Sequence, residues 1–470
     1  MKISILLPYK ENFSKEYAGA VSLLQKDIIP LSRYKKFIKI YGSTNFKRDI
    51  LKKNYVNLKI RNFFFQSKTN TYVKNFIKHE NKKKSDLIEI HNRPIYVNKV
   101  HKINKNIILY FHNDPLQSKG SISINERINL LNKTKKIIFI SKWVKNRFLK
   151  GINKKNLFKN KFDIIQHSTN KKKVDFKKKE KIILFVGRLN KSKGYDIFGK
   201  AILNVLKKYP DWKSVVIGDE PREKIIFNHK NFKLLGFKKN NIVSKWFLKS
   251  EICVVCSRWE EPFGRTSLEA SSAGCAVIIS DRGGLPETIT NGLILKELNV
   301  NSLYKNIDFL IKNKARRFEL QKKSIRNFYL THKFVSSLID NYRDEKFKYL
   351  KLFNVKKNVS LRILHVTNFN ERHDGRLFFN TGRRINNGLI RLGHSILEFS
   401  DRDIQKYYKN YRDLSGSKSL NNKLKKTCYN FKPDVIIFGH ADLVSPETLG
   451  ELKDDYPNLK MSQWFLDPLN

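Results

Sequence analysis

Apolar runs of strand length alternate with longer amphipathic stretches along the chain, the pattern of β/α units built on parallel sheets. The first block holds strand candidates at residues 3–7, 37–41, 87–90, 107–111, 136–140 and 163–165, with 143–149 suited to a helix. A second restarts at 182–186 and continues through 214–217, 232–235, 251–255 and 276–279, with a helix over 197–206. A helix over 334–349, apolar on one face, closes this block and is expected to cross back onto the first. A third begins at 361–366 and runs through a helix at 381–392 and strands at 396–399, 434–438 and 460–465. The pattern divides the chain into α/β blocks at 1–175, 176–350 and 360–470. A Lys-rich stretch, 171–181, reads as the linker between the first two, with a phosphate-binding arm as the functional alternative.

Composition agrees with folding into more than one domain: 470 residues are too many for one ordinary core, and 40% are apolar. The formal net charge of +53 raises a nucleic-acid reading. Most of the cations are Lys scattered along the whole sequence, so solvated faces account for them better than a dedicated polyanion groove, and nucleic acid is not an expected partner. Among functional uses of that charge, peripheral association with an anionic membrane fits best.

Cys253 and Cys256 are spaced to face opposite sides of one strand, so buried, reduced thiols are expected rather than a zinc site. No segment approaches the roughly 18 apolar residues of a membrane span. The opening apolar run is too short for a signal peptide. The expected location is cytoplasmic, peripheral at the inner face of the membrane if the charge is used.

The chemistry concentrates in the second block. Gly187-Arg188 ends a strand, and Lys193-Gly194 follows just ahead of a helix. A strand end opening into a helix start is where open α/β sheets bind ligands, and Arg and Lys supply donors matched to a diphosphate. In Glu261-Pro262-Phe263-Gly264-Arg265-Thr266-Ser267-Leu268-Glu269, a Pro/Gly turn precedes a helix beginning near Arg265 or Thr266. Glu261 falls before that helix and Glu269 about one turn inside it, with free N–H groups at 263–266 expected to face an anion between them. Local physics leaves open that Glu261 is only a dipole partner and Glu269 only a solvated residue. Gly283-Gly284-Leu285-Pro286-Glu287 repeats the strand-end arrangement, and all three ends are expected to face one crevice.

Together, Gly187-Arg188 with Lys193-Gly194, the E-x7-E pair Glu261 and Glu269, the Pro-Phe-Gly turn and the Gly-Gly-Leu-Pro-Glu stretch resemble the donor-binding half of glycosyltransferase family four, which has the GT-B fold. The first block is similar more loosely: Gly19 falls at the family's glycine loop under the donor phosphates, though Ala20 replaces its usual partner glycine, and His112 resembles the family's first-domain histidine. The implied fold is α/β, two Rossmann-like domains facing a cleft, plus a third, small Rossmann-like domain.

The resemblance implies a retaining hexosyltransferase. It would move a sugar from a nucleotide-diphosphate-sugar to a saccharide or lipid-linked acceptor, in cell-envelope polysaccharide synthesis by family habit. Arg188 and Lys193 would neutralise the leaving diphosphate, Glu261 would hold the transferred sugar, and His112 would contact it near the reacting carbon. Glu269 would take the ribose, with Gly19, Gly187, Phe263, Gly264, Arg265 and Thr266 completing the donor site. No metal and no cofactor are implied. His91 is the competing first-domain histidine, acceptor-side or structural. The third block resembles the start of another transferase's acceptor half; a truncated enzyme, an acceptor-recognition module and a docking domain all stay open. From a different class, the rival is a catalytically silent GT-B-like scaffold docking a polyanion or anionic membrane.

Overall fold

The computed structural model describes residues 2–14, 18–45, 54–58, 60, 67–152, 160–352, 360–457 and 459–466. Two compact units result, Met1–Arg343 and Asp344–Asn470.

The first unit contains two parallel sheets. One has seven strands: β1 (Ile3–Leu6), β2 (Ile38–Gly42), β3 (Tyr55–Asn57), β4 (Leu87–His91), β5 (Ile107–Phe111), β6 (Lys136–Phe139) and β7 (Phe162–Ile164), in the order β3-β2-β1-β4-β5-β6-β7. The other has β8 (Glu180–Val186), β9 (Lys213–Ile217), β10 (Phe232–Leu234), β11 (Ser250–Val255), β12 (Ala276–Ser280) and β13 (Leu293–Leu295), in the order β10-β9-β8-β11-β12-β13. Both faces of each sheet are covered, so central strands such as β5 and β12 are buried at every position and read as unbroken apolar runs. The edge strands β3 and β13, three residues each, escape the sequence pattern, whereas the equally short edges β7 and β10 do not.

Alternate residues of the second sheet feed two cores. Ile183, Phe185 and Cys256 pack on one side, Ile182, Leu184 and Cys253 on the other. All four cysteines are free and buried.

Helix His332–Leu352 does return to the first sheet. Arg343 forks onto the Glu89 carboxylate at 2.8 and 2.9 Å, and Asp340 accepts from Ser32 Oγ and Arg33 N at 2.7 Å. Part of the expected linker is load-carrying structure rather than solvated chain. Lys179 Nζ donates to the carbonyls of Phe247, Leu248 and Ser250 at 3.2, 3.3 and 2.8 Å, satisfying the end of helix Asn240–Lys249.

The second unit is a four-stranded parallel sheet of β14 (Arg362–Thr367), β15 (Ser395–Ser400), β16 (Val435–Gly439) and β17 (Lys460–Trp464), in the order β15-β14-β16-β17. Its core includes Leu364, Val366, Leu420, Leu424 and Ile436.

Candidate active site

Two loops at the carboxyl edge of the second sheet build the site. The loop after β8 runs through Gly187 and Arg188 to the turn Lys191–Lys193, ahead of helix Tyr195–Lys208. The loop after β11 leads to helix Arg265–Ser272. Arg258 N and Trp259 N both donate to Ser192 O, at 2.9 and 3.1 Å. The Arg258 guanidinium forks onto Asp196 at 2.5 and 2.7 Å. Gly194 permits this stitching: its φ is 72°, and a Cβ there would stand 1.8 Å from the Cys256 carbonyl oxygen. The close approach sets Lys193 Nζ on the Glu261 carboxylate as an ion pair, 5.0 Å from the centre of the Trp259 ring.

Helix Arg265–Ser272 starts from Gly264, whose φ of 128° only glycine adopts readily. The backbone N–H groups of Phe263, Gly264, Arg265 and Thr266 have no acceptor among the described residues. Arg265 Nε pairs with Glu269 at 2.8 Å one turn on. A cavity of about 420 Å³ has Gly187, Arg188, Arg265, Thr266 and Glu269 among its walls, with Ala20 from the first sheet's side. A Cβ on Gly187 would make only an ordinary 3.8 Å contact with Phe185, so packing does not demand that glycine.

The expectation of one gap ringed by two cations and two carboxylates is corrected in this respect. Arg188 and Glu269 share the cavity, whereas Lys193 and Glu261, which satisfy each other's charge, are not among its walls. Phe263 and Gly264 are not among them either; the Phe263 ring is buried and lies 6.0 Å from the His167 ring.

The third strand end is corrected as well. Residues 283–287 hold protein rather than facing that cavity. Gly284 N donates to Glu261 O at 2.6 Å, fixing the turn that carries the carboxylate. The Glu287 carboxylate accepts from Lys142 N and Trp143 N, at 2.8 and 3.0 Å, across to helix Lys142–Leu149 of the first sheet. Ser141 Oγ donates to Pro262 O at 2.6 Å beside it. The carboxylate thus meets the positive end of a helix dipole and ties the two halves together.

On the first sheet, Gly19 precedes helix Ala20–Ile28. The Glu11 carboxylate already stands against it: Oε1 accepts from Ser22 N at 2.9 Å, and a Cβ on Gly19 would lie 2.3 Å from that oxygen. An acidic side chain thus occupies the helix start expected to face phosphates.

His112 belongs to a cluster the sequence did not announce. Its Nε2 lies 2.9 Å from His91 Nδ1, and its ring centre is 5.5 Å from that of His167. Asn92, with φ of 53°, accepts from His112 N and Asn113 N at 3.2 and 3.1 Å and so holds the loop after β5. Burial holds His112 down to about 4. Burial, reinforced by neighbouring His112, holds His91 and His167 well below the usual imidazole range. All three are therefore neutral at pH 7, available as hydrogen-bonding groups without added charge. His91, fully enclosed behind His112 and 3.5 Å from Gln25 Nε2, is a supporting group.

Among the described residues no cluster of three or more His, Cys, Asp or Glu could hold a metal ion, and no helix is long and apolar enough to cross a membrane.

This architecture is the GT-B fold. The sucrose-phosphate synthase of Thermosynechococcus elongatus superposes with a TM-score of 0.58 at 15% identity, over 74% of this chain and all of that one. Anabaena HepE in complex with UDP-glucose gives 0.56 at 15% identity, over 73% of this chain and all of its own. Residues 166–329, the half that carries Arg188, Lys193, Glu261 and Glu269, match the family model of glycosyl transferases group 1. Spore coat protein SA of Bacillus subtilis is 27% identical over 281 residues, 52% of this chain and 74% of the relative. The lipopolysaccharide core biosynthesis mannosyltransferase LpsB of Rhizobium meliloti is 28% identical over 123 residues, 24% of this chain and 35% of the relative.

Proposed function

We propose that the chain is a retaining glycosyltransferase of family four type. It takes a hexose from a nucleotide-diphosphate-sugar and gives it to a saccharide or lipid-linked acceptor, in the assembly of a cell-envelope polysaccharide. The observation that carries this reading is the pairing of two strand-end loops. One presents Arg188 and Lys193, the other Glu261, Glu269 and four backbone N–H groups that meet no acceptor among the described residues. A polyanion-docking scaffold has no use for carboxylates set among its cations.

In the reaction the cations and the start of helix Arg265–Ser272 meet the charge that develops on the departing diphosphate, and such stabilisation is usually the largest catalytic contribution. This division of labour calls for no metal and no cofactor. Donor entry exchanges the Lys193–Glu261 contact for diphosphate on the lysine and sugar hydroxyls on the carboxylate. Glu269 takes the ribose. His112, neutral, offers the sugar a hydrogen bond without competing for the phosphate. The departing phosphate assists deprotonation of the acceptor on the same face, which retains the anomeric configuration. Relatives named for lipopolysaccharide and spore-coat roles support the envelope setting, and the high positive charge suits work at an anionic membrane surface.

The test is a panel of UDP-, GDP- and ADP-sugars followed by proton NMR. One donor should release its nucleoside diphosphate and yield a product of unchanged anomeric configuration. An inverted product would remove the retaining mechanism, and no release from any donor would remove the enzyme.

A further inference from the structure

A second, smaller cavity of about 290 Å³ lies beside the paired Lys193 and Glu261, walled by Asp114, Gln117, Trp143, Arg147, Trp259 and Glu260. Its walls come from both halves of the first unit, the first four residues from one and the last two from the other. Trp259 is the same indole that lies under Lys193, so the cavity adjoins the proposed reacting centre directly.

On a chain with a formal charge of +53, this cavity has two carboxylates and a single guanidinium. That guanidinium is already neutralised: Arg147 forks onto the buried Asp114 at 3.1 and 2.7 Å and lies 5.6 Å from the Trp143 ring centre. The second carboxylate, Glu260, is half-exposed and only loosely met by Arg282 at 3.4 Å. A phosphate would find no free cation on these walls and would be repelled by Glu260. Two indoles give apolar platforms, while an amide and carboxylates accept from hydroxyls. That combination suits a ring with apolar faces and a polar rim. The volume falls just under the roughly 300–1,000 Å³ range of ligand pockets, room for one sugar ring rather than a nucleotide.

We infer that this cavity is the acceptor subsite and that it takes an uncharged pyranose ring, set against Trp143 and Trp259 with its hydroxyls on Gln117 and Glu260. The inference rests on the glycosyltransferase reading above and narrows it: the group beside the reacting centre is a sugar, and any lipid phosphate lies outside this cavity. Asp114 and Arg147 act as positioning residues that hold the Trp143 wall.

The experiment uses saturation-transfer NMR on the full chain with methyl glycosides of glucose, galactose, mannose and N-acetylglucosamine. Titration with UDP, GDP and ADP runs beside it as the report on the donor site. At least one glycoside should receive transfer from the native protein. Its affinity should fall at least tenfold in Trp143→Ala and in Gln117→Ala, while the nucleotide titration is unchanged. The variants' nucleotide binding also shows that they are folded. Nucleotide binding without transfer to any neutral glycoside overturns the acceptor assignment and leaves the donor reading standing. So does glycoside binding that both variants retain. Failure of every nucleotide would instead sink the underlying transferase reading and this inference with it.

Discussion

Lys193 and Glu261, sixty-eight residues apart, form an ion pair between the loops that follow β8 and β11. Their loops are held together by three donors on Ser192 O and by the Arg258 fork on Asp196, so the pair is a consequence of this stitching and not of two long side chains reaching across solvent. Both side chains are mostly withdrawn from water, at 26% and 11% exposed. Each therefore needs either the other or a ligand that replaces it.

Lys193→Ala and Glu261→Ala should each lower kcat by at least two orders of magnitude, the scale of losing one group that meets transition-state charge. Far-ultraviolet circular dichroism should remain native in both. Turnover within threefold of the native protein in either variant would remove that residue from the site.

Glu11 supplies a test of the first-domain contribution. Its carboxylate sits against Gly19 at the start of helix Ala20–Ile28. If diphosphate approaches that helix start, Glu11→Gln should tighten nucleoside diphosphate binding severalfold in calorimetric titration by relieving repulsion. An unchanged affinity would place the phosphates elsewhere.

The histidine cluster makes stability depend on acid. His112 is held down to about 4 by burial against an ordinary value of 6.5, and His91 and His167 are lowered in the same direction. The unfolded chain then binds more protons than the folded one below about pH 6.5. Stability from these groups is complete above that pH and is lost as pH falls toward 4. The urea midpoint should fall between pH 7 and pH 5, and His112→Gln should flatten the change.

Arg343 and Glu89, at 2% and 1% exposed, form the buried fork that docks the closing helix on the first sheet. Arg343→Ala leaves the buried Glu89 carboxylate without its guanidinium and should cost about 3–5 kcal/mol. Chemical denaturation of the first unit's transition measures it. A change below about 1 kcal/mol would mean that the helix is held by its apolar face alone.

The sheets were legible because their central strands are buried on both faces, so runs such as Ile107–Phe111 and Ala276–Ser280 stand out without any alternation. The ion-pairing residues Lys193, Glu261, Arg265 and Glu269 were legible because strand end, turn and helix start follow one another locally. What stayed hidden depends on segments meeting in space. Glu11 reaches Gly19 across a loop, His167 joins His112 from another strand end, and Glu287 crosses to a helix 144 and 145 residues away. No local spacing marks such meetings. The Gly-Gly-Leu-Pro-Glu stretch looked like a third phosphate loop for that reason: its composition is that of a ligand turn, while its carboxylate is taken by a neighbouring helix.

Calorimetric titration of UDP, GDP and ADP into the native chain, Arg188→Ala and Lys193→Ala decides whether these two cations hold a nucleoside diphosphate. One nucleotide should bind the native protein, and each substitution should weaken that binding at least tenfold. No binding by any of the three, or equal binding by all three proteins, would contradict that role.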